Sequence, residues 1–349
     1  MGVTLRLDLN RWREHLRVVA DATPGLVPVI KGNGYGYGDG RLARESQRLQ
    51  TDTIAVGLPS EAALVRDDFT GSIVVLQAWR PGDPVADRLL DDERVITTVS
   101  RITDLQTLAA RGKPSRVLVE VLTSMRRYGI PPKDLAAAAG ELGALRCEGW
   151  TIHLPMGDES RYAEAVRLAR SALDARAGTL WLSHLPTEDA IGLSRQLGGT
   201  DAPVPIRLRV GTRLWLGDEG SRKTVATVLD VHSVRRGERI GYRQRPAPID
   251  GWVVVMSGGT SHGIGMEAPT AGTSFRQRAI SMAAGSLEAA GLALSPYTIG
   301  GRKRWFCEPP HMQASMVFLP RSQRPPEVGE EMPVELRLTT ALVDTVDEV

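Results

Sequence analysis

Leu26-Val27-Pro28-Val29-Ile30-Lys31-Gly32-Asn33-Gly34-Tyr35-Gly36-Tyr37-Gly38 is a short apolar run that ends on a lysine and opens into a glycine-rich turn. A run this short and this rich in Val, Ile and Leu suits a strand buried on both faces, as in a parallel sheet. A lysine leaving the end of such a strand has a short reach and a partly desolvated amine. Desolvation disfavours the charged form and lowers its pKa from the ordinary value of about 10.4. A neutral amine can form a Schiff base with an aldehyde, and pyridoxal phosphate is the usual aldehyde in proteins. The glycines that follow let backbone approach a ligand where a Cβ would intrude. Two other glycine-rich readings fail on spacing. A dinucleotide fingerprint starting at Gly32 and Gly34 needs glycine at 37, where Tyr37 stands, and a Walker-type loop carries its lysine after the glycines. The plain alternative is a solvated lysine at the start of a flexible turn.

Similar apolar runs recur on the C-terminal side, at 53–56, 73–76, 95–99, 116–121, 147–153, 179–183 and 205–210. Helix-like stretches lie between several of them, at 40–50, 59–67, 102–111, 132–142 and 160–176. Together with 26–30 this makes eight strands with intervening helices, the count for a (β/α)8 TIM-type barrel. A doubly wound open sheet is the structural runner-up. After about residue 220 the pattern changes. Runs at 225–234, 238–242, 251–256, 304–307, 315–319 and 333–338 read as strands between Gly/Pro turns, and only 272–290 looks helical. The expected organisation is a barrel over 1–220, with residues 1–9 able to pair with the β domain, and a mostly-β domain over 221–349.

Bulk properties narrow the function. A chain of 349 residues with 42% hydrophobic and 24% charged residues is ordinary for a soluble globular protein. A net charge of +2 implies no pull on nucleic acid or anionic membrane. The two cysteines, Cys147 and Cys307, form no Cys-x-x-Cys pair, so neither a zinc ribbon nor a disulfide framework is indicated, and a reducing cytoplasm fits. The N-terminus reads as an alternating strand rather than a signal peptide, Arg6 stands where a myristoylation site needs serine or threonine, and no apolar stretch is long enough to span a bilayer. The histidines show no metal-ligand spacing, so no metal is expected.

The segment Val29–Gly38 closely resembles the pyridoxal-phosphate motif of the alanine racemase family, and the likeness extends from Leu5-Arg6-Leu7-Asp8-Leu9 to Met316-Val317-Phe318-Leu319-Pro320. The resemblance implies a barrel followed by a β domain, pyridoxal 5'-phosphate as cofactor, and a homodimer with shared active sites in the cytoplasm. Lys31 matches the lysine that binds the cofactor, and Tyr35 the tyrosine near it. Met125-Arg126-Arg127-Tyr128-Gly129 resembles the Met-Gly-Arg-x-Gly loop, which places Arg127 beside the cofactor phenolic oxygen. His153, closing Gly149-Trp150-Thr151-Ile152-His153, matches the histidine at a strand end. Arg209 and Gly211 match the Arg-x-Gly segment. By that likeness Arg209 faces the pyridine nitrogen, and Gly211 with Thr212 offers N–H groups to the phosphate. Ser183 with His184 stands near the Asn-Ser pair that helps hold the phosphate. Tyr242, after Gly237-Glu238-Arg239-Ile240-Gly241, takes the place of the second catalytic base. Met312 and Gln313 fall in the segment that borders the substrate.

The expected reaction is amino-acid racemisation, with alanine as the default substrate, Lys31 serving one face of Cα and Tyr242 the other. Arg209, relayed through His153, is expected to lower the phenol's pKa. Because guanidinium does not give up its proton, the ring nitrogen it faces stays unprotonated, which favours racemisation over decarboxylation or transamination. Several positions depart from the family. Gly32 and Gly34 replace alanines, and Tyr37 replaces a histidine. Gly259-Thr260-Ser261-His262-Gly263 and His311-Met312-Gln313-Ala314 replace the usual loops, and the usual C-terminal tail with a phosphate-binding tyrosine has no counterpart before Val349. These departures bear on substrate choice, so a lyase, a racemase of a larger amino acid, and a non-catalytic cofactor-binding protein stand as alternatives. A serine hydrolase is a further rival. Residues 259–263 match Gly-x-Ser-x-Gly, with His311 downstream.

Overall fold

A computed structural model describes residues 1–156, 160–266 and 293–349. The chain divides into two compact units, Arg13–Gly217 and, together, Met1–Trp12 with Asp218–Val349. The barrel unit is therefore narrower than 1–220. In chain order, β1 (Val3–Leu7) comes first, and α1 (Leu9–Asp21) contains the division between units. The barrel unit continues with β2 (Leu26–Ile30), α2 (Asp39–Arg48), β3 (Thr53–Val56), α3 (Glu61–Val65), β4 (Ser72–Val75), α4 (Pro84–Leu89), β5 (Val95–Val99) and α5 (Ile102–Ala109). It ends with β6 (Arg116–Val121), α6 (Leu135–Gly140), β7 (Arg146–His153), α7 (Arg161–Ala175), β8 (Leu180–Ser183), α8 (Thr187–Gly198), β9 (Ile206–Val210) and α9 (Thr212–Leu216).

Strands β2 to β9 pair in parallel and close on one another, with Val27 of β2 opposite Arg209 of β9. Closure rules out the open doubly wound sheet. Side chains alternate along each strand, and this sorts two cores. Leu180, Leu182, Val117, Val119 and Leu208 turn outward onto the helices. Val27, Val29, Ala55, Val74, Ile96, Leu118 and Trp181 fill the interior. Each such buried branched side chain contributes about 1.5–3 kcal/mol. Helix α4 shows how the sequence starts an element. Asp83 accepts from the N–H groups of Val85 (3.0 Å) and Ala86 (3.1 Å), and Pro84 takes the first turn, where its missing N–H costs nothing.

The other unit holds β10 (Arg222–Val234), β11 (Arg239–Ile240), β12 (Arg245–Pro246), β13 (Gly251–Ser257), β14 (Leu294–Ile299), β15 (Arg302–Phe306), β16 (Ala314–Pro320), β17 (Glu331–Pro333) and β18 (Thr345–Glu348). Among the described residues its main sheet runs β14-β15-β16-β13-β10-β1-β18, with β17 also on β10. Val3, Val228, Val254, Tyr297, Val317 and Leu319 form its core. Two expectations need correction. The strand expected over 333–338 is instead β17, ending at Pro333, with only a bridge from Val334 to Tyr297 beyond it. The strand expected over 238–242 stops at Ile240, and Tyr242 lies in the turn before β12. The helix expected over 272–290 lies outside the described residues. Among the described residues no helix is long and apolar enough to cross a membrane.

Candidate active site

Functional side chains collect at the C-terminal ends of the barrel strands, where TIM-barrel chemistry is normally sited. His153, Ser183 and Arg209 are successive register partners on β7, β8 and β9. They share the parity of Trp181 and so project into the barrel. Arg207 and Arg209 are thus both inward. Arg207 stacks over Trp181 at 4.9 Å and bonds Asp52 and Thr53 at the opposite end of its strand. Arg209 is buried, and its Nε and Nη2 have no hydrogen-bond partner. Burial pulls its pKa down to about 10, against the pull of Glu120, so at neutral pH it remains a guanidinium.

Lys31 follows β2 directly, and its side chain is accessible to solvent. Burial of its amine first, and then the charge of Arg127, lowers its pKa; Glu61 opposes and Arg209 adds to the effect. The lysine is therefore both reachable and biased toward the neutral amine. The turn after it is pinned by Glu61, whose carboxylate accepts from the N–H groups of Gly32 (2.8 Å), Gly57 (2.7 Å) and Leu58 (2.9 Å). Tyr35 is buried in the left-handed region at φ 54°, ψ 30°, an outlier for a bulky residue and one that costs about 1–3 kcal/mol. Its phenol hydrogen-bonds to Thr212, and burial pushes its pKa up to about 12. The same hydroxyl explains Gly211, because a Cβ there would lie 2.2 Å from it. Tyr35, Gly211 and Thr212 thus form one cluster, and Glu61 acts on both Lys31 and Tyr35.

Arg127 lies on the exposed loop after β6, 5.4 Å over the Tyr128 ring. Leu122 N–H to the Ile130 carbonyl (2.9 Å) and Ile130 N–H to the Glu120 carbonyl (2.8 Å) clamp that loop. Gly129 permits it, at φ +126° with room for no Cβ beside Leu122. His153 and His184 meet edge to face at 4.9 Å. Burial, Arg209 and Arg127 drive the His153 pKa down to about 2, and burial with Arg209 lowers that of His184. His153 is thus neutral, and the positive charge expected to pass through it stays on Arg209.

Three contributors were not singled out from the sequence. Glu120 is a buried inward carboxylate whose Oε2 has no partner, with burial raising its pKa against Arg209 and Arg127. Its signal was a lone acid in the apolar run 116–121. His184, at φ 61°, was noted only as a neighbour of Ser183. Glu61 left no sequence signal.

Tyr242, Met312 and Gln313 belong to the other unit. Tyr242 is 85% exposed, so it is no part of the hydrophobic core. The segment at 311–313 is zipped onto 258–261. Thr260 N–H bonds the His311 carbonyl (2.8 Å), Ser261 N–H the Met312 carbonyl (3.0 Å) and Gly258 N–H the Gln313 carbonyl (2.9 Å). The same bonds occupy the hydrolase candidate. The Ser261 hydroxyl donates to the Met312 carbonyl (2.5 Å), and His262, not His311, is its imidazole neighbour at 3.1 Å. His262 in turn meets Asp344 at 3.2 Å. The N–H groups around Ser261 are spent on the loop's own hydrogen bonds, leaving none there to stabilise an oxyanion.

The donor set fits a pyridoxal phosphate. A lysine biased toward its neutral form, a buried guanidinium with two unpartnered nitrogens and a glycine-lined turn are what its aldehyde, ring nitrogen and phosphate require.

Comparison with known proteins gives a consistent picture. A family model described as alanine racemase, N-terminal domain, matches residues 7–183. An alanine racemase of Thioalkalivibrio sulfidiphilus is 29% identical over 258 residues, covering 68% of this chain and 69% of its own. One of Mycolicibacterium vanbaalenii is 28% identical over 269 residues, covering 68% of this chain and 66% of its own. The chain therefore spans about two thirds of the length of these relatives. Among solved structures, the alanine racemase from E. faecalis aligns at a TM-score of 0.69 and 17% identity, over 95% of this chain and 88% of its own. That from Bartonella henselae, solved with covalently bound pyridoxal phosphate, aligns at 0.69 and 16% identity, over 97% and 94%. At these identities the structural likeness establishes the fold.

Proposed function

The chain belongs to the alanine racemase family, and on that premise we propose that it is a pyridoxal-phosphate-dependent amino-acid racemase, active as a homodimer, with alanine as its default substrate. The observation that carries the reading is Arg209, a buried guanidinium with two unpartnered nitrogens in the same mouth as Lys31. A buried charge with unsatisfied donors is costly unless a ligand completes it. When bound, pyridoxal phosphate supplies a conjugated electron sink that acidifies the Cα–H of an attached amino acid.

The chain's own residues do the rest. Lys31, biased toward the neutral amine, would hold the cofactor aldehyde, and its amine would move a proton at one face of Cα. Tyr242 of the partner subunit moves a proton at the opposite face. Arg209 would donate a hydrogen bond to the ring nitrogen but no proton, since its pKa of about 10 keeps it charged at neutrality. That restrains the sink and disfavours decarboxylation and transamination. His153, kept neutral, orients this arrangement without adding charge. Tyr35, Ser183, Gly211 and Thr212 would line the phosphate end, Arg127 would meet the substrate carboxylate, and Met312 and Gln313 are the substrate-bordering candidates on the other unit.

The test is purified protein with pyridoxal phosphate, a panel of L-amino acids in deuterated water, and chiral analysis. Alanine should end as both enantiomers, with deuterium at Cα. Deuterium-free substrate, or a decarboxylated product, would refute the proposal.

A further inference from the structure

The turn that carries Tyr242 is shaped around two residues that the proposed reaction does not use. Glu308 is 4% exposed, and its Oε1 accepts from His311 Nε2 at 2.7 Å. Pro309 and Pro310 separate the two residues, and their fixed φ angles hold the imidazole over the carboxylate. Three consecutive residues of the Tyr242 turn lean on this pair. Gly241, at φ +71°, lies so close that a Cβ would fall 2.2 Å from the Glu308 carboxyl carbon. The Tyr242 ring packs on the His311 ring, with centroids 4.7 Å apart and planes tilted by 46°. Arg243 N–H lies 3.4 Å from Glu308 Oε2. An exposed phenol on a turn would otherwise sample several rotamers, and holding it in one removes that freedom before substrate arrives.

We propose that Glu308 and His311 are positioning residues that hold the Tyr242 phenol in its reactive orientation before it meets substrate, an inference that rests on reading Tyr242 as the second proton-transfer group. Glu308 fixes the imidazole, the imidazole supports the phenol, and Gly241 lets the backbone close over both. Neither residue exchanges a proton with substrate.

Two readouts test this. In the first, holoenzyme in deuterated water is given each alanine enantiomer separately, and inversion is followed apart from deuteration with retention. H311A and Y242F should both slow inversion, by about a hundredfold. Deuteration with retention should persist for the one enantiomer whose Cα–H faces Lys31. H311F, which keeps a ring but loses the hydrogen bond to Glu308, should recover part of the loss. Inversion at the wild-type rate in both H311A and E308Q would overturn the proposal. So would equal loss of deuteration for both enantiomers, which would make the pair merely part of the fold. The second readout needs no activity. With 3-fluorotyrosine incorporated throughout, the fluorine resonance that disappears in Y242F identifies position 242, and it should shift in H311A and in E308Q. An unmoved resonance would overturn the brace. A wild-type chain that deuterates neither enantiomer would refute the racemase reading instead, and the fluorine resonance would still decide the brace on its own.

Discussion

Arg209 and His153 show how a barrel interior divides charge between adjacent strands. Both are inward and near neighbours in register through Ser183, and burial lowers the pKa of both; Arg209, starting far higher, stays cationic at about 10, while His153 is driven to the neutral form. The stability consequence has a definite sign. His153 titrates near about 2 in the folded chain instead of its usual 6.5, so the unfolded chain takes up this proton first. The contribution is complete above the unfolded value and is lost as pH falls below it. Urea unfolding from pH 7 to pH 4 should show falling stability, and His153→Gln should flatten that fall; an unchanged slope would contradict the shift. At this scale much of the site was legible. Lys31 stood out because it closes an apolar run and opens a glycine-rich turn, and Arg209 because it and Gly211 resemble the family's Arg-x-Gly segment. Glu120 and Glu61 were not legible in the same way. Their roles come from barrel closure and from a turn distant in sequence, and neither leaves a local pattern.

Elements place these residues through a few specific backbone bonds. Glu61, first residue of α3, holds three N–H groups from the turns after β2 and β3. Glu61→Ala would strip all three at once, at about 1–3 kcal/mol for each donor left unsatisfied. The expected outcome is a loss of about 3 kcal/mol or more in denaturant unfolding, together with weaker cofactor binding because the turn beside Lys31 is freed. Loss of neither would contradict the pinning role. Gly129→Ala should weaken the Arg127 loop through both strain and contact, since its φ is +126° and a Cβ would sit 2.3 Å from Leu122 N. The parallel strands were readable because each is a continuous apolar run. The β unit was harder. Pro296 interrupts the pattern of β14, and β18 is a mostly polar strand at the sheet edge, which periodicity does not mark. Pro333 looked like the start of a strand and is the end of one.

For the whole molecule, the (β/α)8 barrel with a mostly-β companion follows from strand count and from the change in pattern after about residue 220, and barrel closure confirms that fold class. The exposed Tyr242, on a different unit from Lys31, is where sequence patterns stop being informative, because a partner's position is not written in one chain's periodicity. The account holds that each active site takes its lysine from one subunit and its phenol from the other. As homodimers, K31A should be inactive and Y242F should be slowed about a hundredfold. Unfolding and refolding the two together should form mixed dimers with one intact site each, restoring about a quarter of the wild-type racemisation rate when the chains are equimolar and pair at random. Recovery at that level is the predicted result; a mixture no more active than its components, from dimers shown to have exchanged subunits, would contradict the shared site.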